Sequence, residues 1–138
     1  MTVQLNHTIV AAHDKKTSAQ FLADILGLDV NPQYGPFIPV AIPNSVTLDY
    51  MDTEGAITPQ HYAFLVSETE FDTIFARIRE TGLTYWADPG HHRPHEINTR
   101  DGGRGTYFDD PNGHVLEILT RPYGSGDGGG SGDGGGGA

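Results

Sequence analysis

Residues 105–120, GTYFDDPNGHVLEILT, decide the fold. The stretch reads as strand, tight turn and strand. Tyr107 and Phe108 close the first strand, and Asp110-Pro111-Asn112-Gly113 reverses the chain, with proline presetting φ and glycine supplying a positive φ. His114 to Thr120 is an aliphatic run too short for a helix of its own. In its middle stands Glu117. A carboxylate inside such a strand is costly to bury unless something positive meets it.

Working outward, the hairpin ends a longer pattern. His61–Val66 reads as a strand led by a histidine. Ser67-Glu68-Thr69-Glu70 has capping-box spacing, and Phe71, Ile74, Phe75 and Ile78 form the apolar stripe of a helix that Gly82 ends. Leu83–Trp86 is a short strand, and Asp88–Arg104 a long polar loop with His91, His92 and His95. The first half of the chain runs the same way. Residues 3–11 read as a strand centred on His7, and Asp14–Leu26 as a helix with Ser18, Phe21, Leu22, Ile25 and Leu26 on one face, ended by Gly27. Short edge-like strands follow around Gln33–Ile42, where prolines recur, and Ser45–Asp52 is a strand carrying Asp49.

The chain therefore holds two copies of one unit, and repeats are best sought before motifs. The helix-ending glycine falls 20 residues after His7 and 21 after His61; the strand acid falls 42 residues after His7 (Asp49) and 56 after His61 (Glu117). The longer loop in the second copy accounts for that difference. A histidine and an acid recur at equivalent places in both units. The fold class that follows is α+β, with modules at about 3–52 and 58–121 within a domain of residues 1–123. Residues 124–138 are Gly/Ser/Asp-rich, cannot bury apolar surface, and are predicted to form a disordered tail.

Composition narrows the chemistry. There is no cysteine, so any metal is held by nitrogen and oxygen donors. The formal charge is −10, from 18 acidic and 8 basic residues, which argues against nucleic acid as a partner. No apolar run approaches the ~20 residues of a membrane span, and the N-terminus has no secretory pattern, so the expected location is cytoplasmic. Two strand histidines and a strand glutamate from distant segments (His7, His61, Glu117) are a candidate 2-His-1-carboxylate site, the pattern of non-haem Fe(II). Adding Asp49 gives a four-ligand set closer to Zn, Ni, Co or Mn chemistry. The bland alternative is a satisfied core or edge role for each residue taken singly. Arg100 and Arg104 flank Gly102-Gly103, where they would contact an anionic substrate or serve as ordinary loop charges.

The segments NHTIV, HYAFLV and YFDDPNGHVLE resemble the vicinal-oxygen-chelate superfamily, which includes glyoxalase I, extradiol dioxygenases, fosfomycin-resistance enzymes, methylmalonyl-CoA epimerase and bleomycin-binding proteins. The resemblance covers about residues 3–121. It implies two βαβββ modules forming a half-open mixed-sheet barrel, with helices on the outer faces, around a divalent metal held by His7, His61 and Glu117. It also implies a small-molecule substrate that chelates the metal through neighbouring oxygens, and a homodimer. Dioxygenase-like chemistry with Fe(II) is the favoured expectation. Tyr107, ten residues before Glu117, matches the tyrosine that contacts the bound catecholate in extradiol dioxygenases. Asn98 stands where that motif has a histidine, and Val46 where it has its acid–base histidine. Asn98 and Arg100 are the candidate substrate-binding residues. In glyoxalase-type enzymes a glutamate occupies the place of Asp49, which implies an alternative lyase or isomerase with Asp49 as ligand or general base. The opening Asn6-His7 is also shared with fosfomycin transferases, although Ile9 stands where they carry threonine. A metal-free drug-binding module is the third alternative.

Overall fold

The computed structural model describes residues 2–126. It separates into two units, one formed by the residues through 59 with 110–113, the other by 60–109 with the residues from 114 on. Each unit has one helix and one open mixed sheet.

In the first unit, β1 (His7–Ala12) leads into α1 (Lys15–Leu26), then β2 (Phe37–Ile42) and β3 (Val46–Asp52), in sheet order β1-β3-β2. Asp14 caps α1, its carboxylate accepting from the backbone N–H groups of Lys16 and Thr17, each at 3.1 Å. Gly27 ends the helix at φ 76°, the left-handed conformation that glycine adopts without steric cost. Ser18, Ala19, Leu22, Ala23 and Ile25 are the buried positions of α1, so the helix buries smaller side chains than its apolar stripe suggests: Phe21 and Leu26 are only half-buried. The strand expected within Gln33–Ile42 contracts to Phe37–Ile42. Ahead of it Val30 and Tyr34 make isolated bridges, to Val40 and Phe37. Proline at 32 and 36 removes backbone donors there, which limits ladder formation.

The second unit follows the full pattern: β4 (His61–Leu65), α2 (Glu68–Glu80), β5 (Tyr85–Trp86), β6 (Gly105–Asp109) and β7 (Val115–Leu119), in sheet order β4-β7-β6-β5. The capping box is present, with Ser67 Oγ accepting from Glu70 N–H at 3.0 Å and Glu70 Oε1 from Ser67 N–H at 2.8 Å. Phe71, Ile74 and Ile78 are buried, and Phe75 meets the ring of Tyr85 edge-on. Arg104 bonds Glu68 and Asp72 of α2 and lies over Phe71, so it ties the helix start to the approach of β6. It is thus occupied by the fold.

The residues 110–113 turn the chain as the sequence indicates: Gly113 N–H donates to Asp110 carbonyl at 3.1 Å, with Gly113 at φ 89°. Asn112 then fastens this turn within the first unit, donating to Ser18 Oγ at 2.9 Å and accepting from His13 N–H at 2.9 Å. Of the glycine-rich segment, Gly124 and Gly126 donate their N–H groups to the Asp101 carboxylate, both at 3.0 Å. The remaining tail lies outside the described residues. No helix among the described residues is long and apolar enough to cross a membrane.

Candidate metal centre

Strand register determines which side chains share a face. In the second sheet Ala63 lies opposite Glu117, which lies opposite Tyr107, which lies opposite Trp86. His61 and Asp109 flank Val115 in the next row. Paired residues in a pleated sheet point to one side, so His61, Glu117, Tyr107, Asp109 and Trp86 belong to a single face. Phe108, Leu116 and Ile118 alternate with them as buried residues of the opposite face.

On that face Glu117 is 6% exposed and its Oε1 lies 3.1 Å from His61 Nε2. The other imidazole nitrogen, Nδ1, lies 3.1 Å from the Val115 carbonyl oxygen. A carbonyl only accepts, so Nδ1 carries the proton. In a neutral imidazole, Nε2 then presents a lone pair to a carboxylate oxygen. Two acceptors at that separation need a proton or a cation between them. An imidazole whose Nδ1–H is held by a backbone carbonyl, with the Nε2 lone pair left to coordinate, is also the usual arrangement of a metal-ligating histidine. The donor set therefore fits a divalent ion. Burial raises the Glu117 carboxyl above its ordinary value, although its interaction with His61 pulls the other way.

Tyr107 is fully buried beside this pair, its ring stacked on His61 at 5.9 Å between centroids. Desolvation, with the negative charge of Glu117, pushes its phenol up to about 12. It keeps its proton and hydrogen-bonds toward the Glu117 carboxylate, favouring the ionised acid. From the other side Arg100 Nη1 donates to Tyr107 Oη at 2.6 Å, with the guanidinium over the ring, 5.6 Å from its centroid. Arg100 reaches this position from a one-turn 3-10 helix, residues 100–102. Asn98 precedes that turn, and its side chain is used internally: Nδ2 donates to Ala87 carbonyl at 2.9 Å and Oδ1 accepts from Arg100 N–H at 3.3 Å. Asn98, expected as a substrate contact, thus spends its polar atoms on the loop's own backbone.

His7 and Asp49 lie in the first unit. In its sheet Ile9 pairs with Asp49 and His7 with Thr47, on the face turned away from buried Val10, Leu48 and Tyr50. The register repeats that of the second unit, where Ala63, two residues after His61, pairs with Glu117. The histidine–acid correspondence read from spacing is therefore a correspondence of register. The side chains differ in use: His7 is exposed, and its Nδ1 lies 2.8 Å from Asn6 Oδ1. Among the described residues no three His, Cys, Asp or Glu side chains form a group able to hold a metal ion. His61 and Glu117 make a two-ligand set.

Sequence reasoning passed over Asp109 and read Trp86 as core or pocket wall. His91 stacks on Trp86 at 3.8 Å, and its Nε2 lies 3.2 Å from Asp109 Oδ1. Asp109 stands two residues after Tyr107 and so on the same face, which was the available signal. His114, at the head of the aliphatic run, is buried and accepts from Gln60 N–H at 3.0 Å.

A family model described as the Glyoxalase/Bleomycin resistance protein/Dioxygenase superfamily matches residues 4–118. Among solved structures the chain is similar to the oxidase ChaP-H2, 82% identical with a TM-score of 0.90, over 91% of this chain and 99% of that one. It is also similar to the oxidase ChaP-H1, 64% identical with a TM-score of 0.87, over 89% of this chain and 99% of that one. The glutathione transferase FosA of Serratia marcescens is 29% identical over 124 residues, 86% of this chain and 81% of FosA. A match to 115 consecutive positions, including the strands that carry His7, His61 and Glu117, establishes the relationship. The chain belongs to the Glyoxalase/Bleomycin resistance protein/Dioxygenase superfamily.

Proposed function

We propose that this protein is a metal-dependent oxidoreductase acting on a small molecule that binds through two neighbouring oxygens. The observation that carries the reading is the contact of His61 with the buried Glu117 carboxylate, 3.1 Å apart, with the imidazole proton committed to Val115. His61 Nε2 and Glu117 Oε1 are the proposed ligands in the second unit, and His7 of a first unit the third, which gives a 2-His-1-carboxylate set. Fe(II) is the favoured ion, with Zn, Ni, Co or Mn as the alternatives. The proposed assembly is a homodimer. The similarity to two oxidases supports oxidation over other reactions of the superfamily.

When bound, the ion supplies Lewis-acid stabilisation of a developing oxyanion. The protein's own residues do the rest. Glu117 offers negative charge at a desolvated point, His61 offers a nitrogen lone pair of fixed direction, and Tyr107 with Arg100 closes the side of the site. Anaerobic loading with Fe(II), followed by oxygen-electrode measurements over a panel of catechol-type compounds, tests the reading. Uptake dependent on both iron and substrate is expected. Absence of uptake across the panel with iron bound would count against oxidation.

A second reading is favoured by one observation, the register equivalence of Asp49 with Glu117. Asp49 would then be the base that removes a proton α to a bound carbonyl in a glyoxalase- or epimerase-type reaction. Asp49→Asn should abolish that turnover, and a fully active variant would remove the reading. The metal-free alternative predicts protein without stoichiometric metal.

A further inference from the structure

Arg100 and Tyr107 read from sequence as groups for a substrate, Arg100 for an anion and Tyr107 for a bound oxygen. Their hydrogen bonds point elsewhere. Arg100 Nη1 donates to Tyr107 Oη at 2.6 Å, which occupies an acceptor site of the phenol, and Tyr107 stands directly opposite Glu117 in the β6–β7 ladder, on the same face. Glu117 in turn faces His61 Nε2, and His61 Nδ1–H is held by Val115 carbonyl. The four side chains form one line of polar contacts that ends on a backbone oxygen of the strand bearing Glu117.

Each member is also fixed by packing. Tyr107 has no exposed surface, its ring is stacked on His61, and the Arg100 guanidinium covers it. Arg100 is held at its backbone by Asn98 Oδ1, and the residue after it, Asp101, is pinned by Gly124 and Gly126 at a φ of 55°. Holding a non-glycine residue in the left-handed region has a cost, which the surrounding bonds offset.

We propose that Arg100 and Tyr107 are positioning residues for the Glu117 carboxylate, orienting it toward the metal, and not contacts to substrate. The proposal rests on the reading of His61 and Glu117 as ligands. Outer hydrogen bonds to ligating groups typically change metal affinity about 10–100-fold. Tyr107→Phe keeps the ring on His61 and removes the one donor between Arg100 and the carboxylate. Arg100→Gln removes the other end of the line from a half-buried position, and so remains informative if the buried variant folds poorly.

The test is titration of metal-free protein with Co(II), followed by its visible absorption, with no substrate present. Wild type, Tyr107→Phe, Arg100→Gln and the double variant are compared, with folding checked by circular dichroism. The expected result is about a 10–100-fold weaker affinity in each single variant, with an altered Co(II) spectrum. The double variant should be no weaker than the worse single one, because both act through one line. Wild-type affinity and spectrum in both single variants would overturn the proposal, since a substrate contact leaves metal binding unchanged. Should wild type bind no Co(II), or His61→Ala bind it as wild type does, the ligand reading itself fails, and the positioning role fails with it.

Discussion

Glu117 is the residue on which the chemistry turns, and its position is unfavourable for the metal-free fold. Burial raises its carboxyl, the interaction with His61 being the main opposing influence. A carboxyl whose folded value is raised binds its proton more tightly in the folded state. Its protonated form therefore supports folding at low pH, and that support is lost as pH rises from the ordinary range near 4.5 through the raised value. Glu117→Gln removes the charge and supplies an amide N–H to the His61 lone pair. We predict that this variant is more stable than metal-free wild type at neutral pH, by about 1 kcal/mol, and binds metal far more weakly. Urea denaturation at pH 5 and pH 7.5 checks it: the gap between variant and wild type should widen at the higher pH. Much of this was legible beforehand, since an acid at the centre of an aliphatic strand demands a partner. The identity of the closest partner was legible too, because His61 leads the strand parallel to β7. The side-chain use of Asn98 and Arg100 was not. Both lie in a loop whose path depends on left-handed residues such as His91, His95 and Asp101, at φ 63°, 61° and 55°. Nothing in a histidine or aspartate codon announces that conformation, which tertiary contacts impose.

At the scale of elements, local signals were strong where the chemistry of ends is local. Ser67 and Glu70 close the start of α2 reciprocally, and Gly27 ends α1 in the left-handed region, both as spacing indicates. Ser67→Ala is predicted to lower stability by about 1 kcal/mol and to leave metal affinity unchanged, because the cap lies on the helix and not on the face of His61. Thermal melting with a parallel Co(II) titration measures both quantities. Strand extents were less legible. β1 begins at His7 and not near residue 3, and ahead of β2 only isolated bridges form, Val30–Val40 and Tyr34–Phe37. Strand formation is decided by a partner's donors and acceptors, and residues 3–6 of this chain are exposed. β5 is likewise only two residues long, holding Tyr85 and Trp86 against Phe108 and Tyr107.

For the whole molecule, the two units repeat one design with unequal outcomes. Both place a histidine and an acid in the same strand register, yet the second buries its glutamate on the imidazole while the first leaves His7 exposed beside Asp49. The first sheet also presents apolar surface on the His7 side. Ile9 is 48% exposed there, and Leu5 and Val3 ahead of it are more so. Exposed apolar groups arranged along one edge suit an interface. For the proposed homodimer, Ile9→Asp should shift the protein toward monomer by light scattering after size exclusion. It should also weaken metal binding while preserving the far-ultraviolet spectrum of each unit. A dimer of wild-type strength would remove this surface from the interface.

Metal stoichiometry in the assembled protein is the most direct test. Purified protein stripped of metal, reloaded with Fe(II) under anaerobic conditions and desalted should retain stoichiometric iron. The same treatment of His61→Ala and Glu117→Ala should leave almost none. Iron retained equally in both variants, or absent from wild type, would contradict the assignment of His61 and Glu117 as metal ligands.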